Sequence, residues 1–337
     1  MDQERETIRL IQKSLGVEGD KGIFETDAQQ FMLDGQNFLF TTDEYSSEDF
    51  FRENNPYTLA WNLTTATLSD ILAAGGVPMF YGHSMSIPSS WNNEYLIAFC
   101  KGINDCLSLA DTKFLGGDTG FSDTWKYTGI AIGRQNAHIN RSGAGIGDLI
   151  YMTGKVGAGN LEASLKMYSG HTAVHELSKE MNIKFPWRGK EASVIRKYAT
   201  ACIDSSDGML KSLMNIGSCS ALGFEVGSLP YMEEAVMACE MLELDKTLLF
   251  VGESGEYELV FTISPDEEMK FLNECEQLGV QLVRIGRMLE KKEYLLMGDK
   301  RIIDFTGFDI HARNYPDTLD YISAISIYIR QSLTGLS

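Results

Sequence analysis

Positive charge is scarce in this 337-residue chain. Its 29 lysines and arginines face 47 aspartates and glutamates, a formal net charge of −18. Nucleic-acid backbones and anionic membranes repel such a surface, so neither is expected as a main partner. The same deficit means that any phosphate chemistry here needs metal ions to bridge like charges. No uninterrupted apolar run approaches 18 residues, which excludes a transmembrane helix. The six cysteines, Cys100, Cys106, Cys202, Cys219, Cys239 and Cys275, contain no Cys-x-x-Cys pair. Most sit in apolar contexts and read as buried thiols of a reducing compartment. The start, "MDQERETIRLIQKSLG", is charged and amphipathic rather than a signal peptide, so a cytoplasmic location is expected. Low-complexity segments and short-period repeats are also missing.

What is present is a soluble globular composition, 44% hydrophobic and 23% charged, long enough for two domains with real cores. "QFMLDGQNFLFTTDEY" predicts two strands joined by an Asp-Gly turn. "NPYTLAWNLTTATLSDILAAGG" has helical spacing and a terminal Gly pair, and "SWNNEYLIAFCKGINDCLSLAD" predicts a second helix capped by Ser90. "KFLGGDTGF" and "KYTGIAIGRQ" read as strand, turn and strand. The Gly-rich "RSGAGIGD" marks the expected domain junction. Beyond it a strand, "LIYMTG", a turn, "KVGAGN", and a helix, "LEASLKMYSG", open the second half. Strands and helices then mix without regular βαβ alternation, which predicts an α+β class. The tail "TLDYISAISIYIRQSL" predicts a further amphipathic helix.

Five acidic turns stand out: "IFETDAQQF", "FTTDEY", "TLSDILAAGG", "LGGDTGF" and "TACIDSSDGML". Each sets a carboxylate beside Thr, Ser or Gly at the end of a regular element. Taken singly, such a residue is a cap or turn former; Ser206 or Asp207 could cap a helix running "MLKSLMNIG". Taken together, Asp27, Asp43, Asp70, Asp118 and Asp207 suit a multi-Mg²⁺ nucleotide site, because Mg²⁺ takes oxygen ligands from single carboxylates and phosphates. Two other signals carry less. His171 and His175 in "HTAVHE" have helix-face spacing but lack the HExxH glutamate and a third ligand, so they read as a solvated face. "GKVGAGN" lacks the GxxxxGK[ST] pattern and is no Walker-type loop, although its N–H groups could hold a phosphate or form a plain turn.

The stretches "FTTDEY", "LSDILAAGG", "FLGGDTGF", "RSGAGIGDLIYMTG", "IDSSDGM" and "GEYELVF" occur in the order and spacing of thiamine-monophosphate kinases, of the superfamily named for aminoimidazole ribonucleotide synthetase. The chain resembles that family over nearly its whole length up to His311. The resemblance implies a PurM-like α+β fold: residues 1–145 form a domain that dimerises and holds Mg-ATP, and 146–315 form an acceptor domain. Residues 316–337 would then be an extra helix. It further implies ATP and Mg²⁺, and γ-phosphoryl transfer to thiamine phosphate. Asp27, Asp43, Asp70, Asp118 and Asp207 match the metal-binding aspartates, with Asp27 and Asp207 at the catalytic centre and Asp204 bracing the turn. Thr42, Gly116, Gly117, Asp118, Thr119, Arg141 and Ser206 match nucleotide contacts, and Gly208, Glu256 and Phe308 match acceptor contacts.

Four departures from the family pattern bear on the substrate. Gly-Asp-Asp-Ala is replaced by Glu25-Thr26-Asp27-Ala28, and Gly120 and Phe121 replace the arginine after Gly-Gly-Asp-Thr. Gly-Asp-Ser becomes Gly157-Ala158-Gly159, and Glu-Asp-Tyr-Glu becomes Gly255-Glu256-Tyr257-Glu258. Three readings follow from the residues: a thiamine-phosphate kinase, another ATP-dependent superfamily enzyme with a different small phosphate or carboxylate acceptor, or a nucleotide-binding homologue without catalysis.

Overall fold

A computed structural model describes residues 3–16, 24–298 and 301–335. Residues 17–23, inside the first expected domain, and 336–337 at the end of the tail lie outside them. Helix α1 spans Gln3–Ser14. The hairpin forms as the Asp-Gly turn predicts, between β1 (Gln29–Leu33) and β2 (Gln36–Ser46). Asp34 and Gly35 both take positive φ, 50° and 75°, the conformation that matches the strands' right-handed twist. With β3 (Gly76–Ile87), β4 (Lys113–Phe121) and β5 (Lys126–Gln135) they build a five-stranded sheet of order β1-β2-β5-β3-β4. Only β3 and β4 pair in parallel.

Helices α2 (Pro56–Ala73) and α3 (Asn93–Leu109) pack against each other beside this sheet. Asn55 caps α2, accepting from the Thr58 N–H, and Asn92 caps α3 by accepting from the Tyr95 N–H. The α3 cap is therefore Asn92 rather than Ser90, because the helix starts two residues later than its hydrophobic pattern suggests. Fifteen residues of α2 are buried. An all-round buried helix must be covered on every side, and here the second half of the chain completes the cover. The Trp61 indole N–H donates to the Phe185 carbonyl at 2.8 Å, and the Asn62 amide bonds Ile183 O and Phe185 N, both at 2.9 Å.

The second half contains β6 (Leu149–Met152), α4 (Ala158–Met167), α5 (Thr172–Glu180), α6 (Gly189–Tyr198), β7 (Ala199–Asp204), α7 (Met209–Ser220) and β8 (Gly223–Gly227). It continues through α8 (Glu233–Met241), α9 (Leu248–Val251), β9 (Leu259–Ile263), α10 (Glu268–Leu278), β10 (Val283–Leu289), β11 (Tyr294–Met297), β12 (Arg301–Asp304), α11 (Thr318–Gln331) and β13 (Leu333–Gly335). Its strands form one eight-stranded sheet, β13-β12-β11-β8-β10-β6-β9-β7. The tail is integral to this unit: β13 pairs with β12, and Tyr321, Ile325 and Ile329 of α11 enter the core with α7, α9 and β8. No disulfide joins any of the six cysteines, and among the described residues no helix is long and apolar enough to cross a membrane.

Candidate active site

The turn "DSSDG" after β7 does not cap α7. That helix starts after Gly208, which has no side chain to accept from the helix N–H groups, and no side-chain bond caps it. Gly208 itself is needed for φ +82° and because a Cβ there would sit 2.1 Å from the Gly252 carbonyl oxygen. Neither carboxylate of the turn caps the helix, although Asp204 Oδ1 accepts from the Ser206 N–H at 3.4 Å and so braces the turn as expected, and the two diverge. Asp204, the last residue of β7, is 1% exposed and accepts from the Ser69 hydroxyl at 2.5 Å. Asp207 is half-exposed and pairs with Lys211 one helical turn on, at 2.9 Å.

Ser69 immediately precedes Asp70 at the buried end of α2, and this brings Asp70 beside Asp204. Strand periodicity supplies the facing groups: Thr41, Asp43 and Tyr45 are the more buried residues of β2, alternating with the exposed Thr42 and Glu44. Thr41 donates to Asp70 at 2.5 Å and the Tyr45 hydroxyl donates to Asp43 at 3.3 Å. Asp27 joins from the segment before β1, held by the Arg141 guanidinium, whose backbone N–H bonds Glu25 O at 2.6 Å. One oxygen from each of Asp27, Asp70 and Asp204 lies within 4.8 Å of the others.

Four carboxylates and one guanidinium make a buried, under-neutralised site. Burial raises the pKa of Asp43 and of Asp204 to about 7 and that of Asp70 well above its ordinary value, and neighbouring carboxylates push in the same direction. Burial also raises Asp27, against the opposing pull of Arg141. Asp27 Oδ2 is buried with no hydrogen-bond partner. An orphaned oxygen among oxygen donors that repel one another is what a hard divalent cation satisfies.

These groups line a cavity of about 860 Å³ between the two halves. Thr42, Arg141, Ser206 and Asp207 also line it. Tyr257, not singled out in the sequence, lines it too. Its backbone is held at φ 55°, its ring lies against Phe185 at 5.3 Å, and Asp204 and Asp43 act on its hydroxyl. The only sequence signal for Tyr257 is its place between two glutamates in the "GEYELVF" motif.

The remaining nominated residues lie elsewhere. Gly116, Gly117, Asp118 and Thr119 form no turn; they continue β4, outside the cavity, with Asp118 exposed on the sheet's edge strand. Gly117 packs on His83, leaving no room for a Cβ. Glu256 is 1% exposed beneath the "KVGAGN" turn and accepts from the Gly157 N–H at 3.3 Å. Burial pushes its pKa up to about 8, and its Oε1 has no partner. That carboxyl occupies the amide the turn could have offered to a phosphate. Phe308 packs edge-on against Phe305 and Tyr328 in the second core. His171 and His175 are exposed.

Residues 25–135 match the family model described as AIR synthase related protein, N-terminal domain. A thiamine-monophosphate kinase of Leptospira interrogans is 30% identical over 298 residues, covering 84% of this chain and 89% of the relative. The chain belongs to the thiamine-monophosphate kinase family. The Archaeoglobus fulgidus thiamine-monophosphate kinase is 27% identical over 321 residues, covering 93% of this chain and 97% of that one. Among solved structures, AaThiL complexed with AMPPCP and TMP superposes with a TM-score of 0.72 at 22% identity, over 86% of this chain and 92% of its own. That likeness establishes for this thiamine-monophosphate kinase family member the two-sheet α+β fold.

Proposed function

We propose that the protein is an ATP- and Mg²⁺-dependent kinase that transfers the γ-phosphoryl group of ATP to thiamine phosphate, giving thiamine diphosphate and ADP. The observation that carries this reading is the Asp27, Asp70 and Asp204 cluster, with Asp43 beside it, lining a cavity large enough for two substrates. The all-oxygen donor set and the orphaned Asp27 oxygen fit Mg²⁺, which when bound supplies positive charge to the phosphates.

An oxygen of the acceptor phosphate attacks the γ-phosphorus, and the bond from that phosphorus to the β-phosphate oxygen breaks, releasing ADP. A phosphate monoester is largely dianionic at neutral pH, so its oxygen needs no general base. The protein's task is placement. Arg141 fixes Asp27 and adds a permanent cation to the cluster; Ser69 and Thr41 fix the Asp204 and Asp70 carboxylates. Lys211, on the cavity wall, reaches the acceptor side of the turn beside Asp207.

The reading also includes a homodimer formed through the first sheet. Phe31, Leu33 and Phe40 on β1 and β2, and Leu115 and Phe121 on β4, are 38% to 83% exposed. Asp118 stands on the same β4, so a second copy closing this sheet would give it and its glycines a partner. Purified protein given Mg-ATP and thiamine phosphate should form thiamine diphosphate and ADP in equal amounts by chromatography. ADP formation with another small phosphate and none with thiamine phosphate would overturn the acceptor assignment.

A further inference from the structure

Residues 47–55, between β2 and α2, form no helix or strand, yet Glu48, Asp49, Phe50 and Phe51 of this segment line the cavity. Without a ladder, its carbonyls need other donors. One side chain serves three of them. Lys166 of α4 donates from Nζ to the Ser47, Asp49 and Phe51 carbonyls at 3.0, 2.5 and 3.3 Å. An ammonium has three protons, so this set saturates it.

Arg52, in the same segment, reaches the other way. Its guanidinium pairs with Glu162 at 2.7 Å and donates to the Ser178 and Met181 carbonyls at 3.1 and 3.2 Å. Glu162 also accepts from the Arg52 backbone N–H at 3.1 Å. Glu162 and Lys166 stand one turn apart on α4, so one helix face holds both contacts. The Arg52 and Glu162 side chains are 10% and 8% exposed, which limits screening of their pair by water and salt. In a chain short of positive charge, each half thus commits a cation to carbonyls of the other.

The consequence falls on the carboxylates. Asp27 and Asp70 come from the first half and Asp204 from the second, so their spacing depends on how the halves meet. Segment 47–52 continues directly from β2, the strand that carries Asp43. We infer that Lys166 and Arg52 form a reciprocal clasp that fixes this segment on α4 and sets the register of the first-half carboxylates against Asp204. They are positioning residues for phosphoryl transfer, acting through the segment rather than on the reacting atoms. The inference rests on the Mg²⁺-dependent kinase reading above.

The test uses Lys166→Ala, which removes the ammonium and leaves α4 a strong helix former. Its kcat should fall about tenfold or more, with KM for ATP and for thiamine phosphate within about threefold, because misplaced groups cost rate more than binding. Lys166 is half-buried at the surface, so a soluble amine can enter the space it leaves. Added n-propylammonium should restore kcat severalfold in the variant and leave the unaltered protein unchanged, and n-propanol should do neither. A second readout needs no turnover. Mg²⁺ should raise the melting temperature of the unaltered protein at pH 8, as a ligand of the folded state does. That rise should shrink in Lys166→Ala and return with n-propylammonium. A lower melting temperature with unchanged kcat and unchanged Mg²⁺ response would make Lys166 a structural contact only and overturn the inference. A loss of kcat that n-propylammonium does not relieve overturns it as well. Should Lys166→Ala fail to fold, Lys166→Met, which keeps the stem without the charge, gives the same comparison of kcat, KM and Mg²⁺ response. Absence of thiamine diphosphate with the unaltered protein overturns the kinase reading instead, and the clasp is then judged by the Mg²⁺ response alone.

Discussion

Asp204 and Asp207 stand three residues apart in one turn and have opposite surroundings. The sequence reading gives the ligand role to Asp207 and leaves Asp204 to brace the turn; the structure buries Asp204 in the cluster and leaves Asp207 beside Lys211. Sequence could show that the turn was acidic, but not which carboxylate faced α2, because that depends on where β7 ends against Ser69. Asp204→Asn should therefore abolish transfer, an amide oxygen being a poor Mg²⁺ ligand, whereas Asp207→Asn should retain substantial turnover with a raised acceptor KM. Full activity in Asp204→Asn would remove that residue from the cluster's function. The cluster also predicts a pH effect. Asp43 and Asp204 titrate near 7 in the fold and near 3.8 unfolded, so the folded protein holds more protons between those values and metal-free stability falls as pH rises through that window. Melting temperature without Mg²⁺ should drop from pH 5 to pH 8, and Mg²⁺ should restore it at pH 8 far more than at pH 5. A flat profile with no Mg²⁺ response would contradict this charge balance.

Elements with a strong local pattern were legible before the structure. The Asp34-Gly35 hairpin, the apolar α2 and the strand β6 follow from turn chemistry and periodicity. The "LGGDTGF" segment was not: its glycines suggest a turn, yet pairing with β3 holds it extended as β4. The Ser90 cap gave way to tertiary context in the same manner, whereas the expected tail helix forms as α11 and is covered by the second core. Segment 252–255 shows the cost of such context. A methyl at Gly255 would meet the Ser205 and Ser206 backbone carbonyls rather than a movable side chain, so Gly255→Ala must push the segment off the acidic turn. It should cost about 1–3 kcal/mol, read as a lower denaturant midpoint, and reduce kcat as well. A variant with unchanged midpoint and kcat would show that the segment is not held there.

The whole molecule carries a charge of −18 and an exposed apolar face on its first sheet, two features that pull in opposite directions on association. The apolar face should prevail, because Phe31, Leu33 and Phe40 expose neighbouring apolar side chains on the paired strands β1 and β2. Sedimentation velocity at micromolar concentration should show a dimer, and Phe31→Lys with Phe40→Lys should shift it to monomer; a monomeric unaltered protein would refute the interface. Charge also makes nucleotide binding the sharpest probe of the metal assignment, since an acidic cavity cannot hold ATP without cations. Calorimetric titration of ATP into the protein, with Mg²⁺ and again with excess EDTA, should give tight binding in the first case and no measurable heat of binding in the second. Equal affinity in both would contradict a site in which Asp27, Asp43, Asp70 and Asp204 hold Mg²⁺ for the nucleotide.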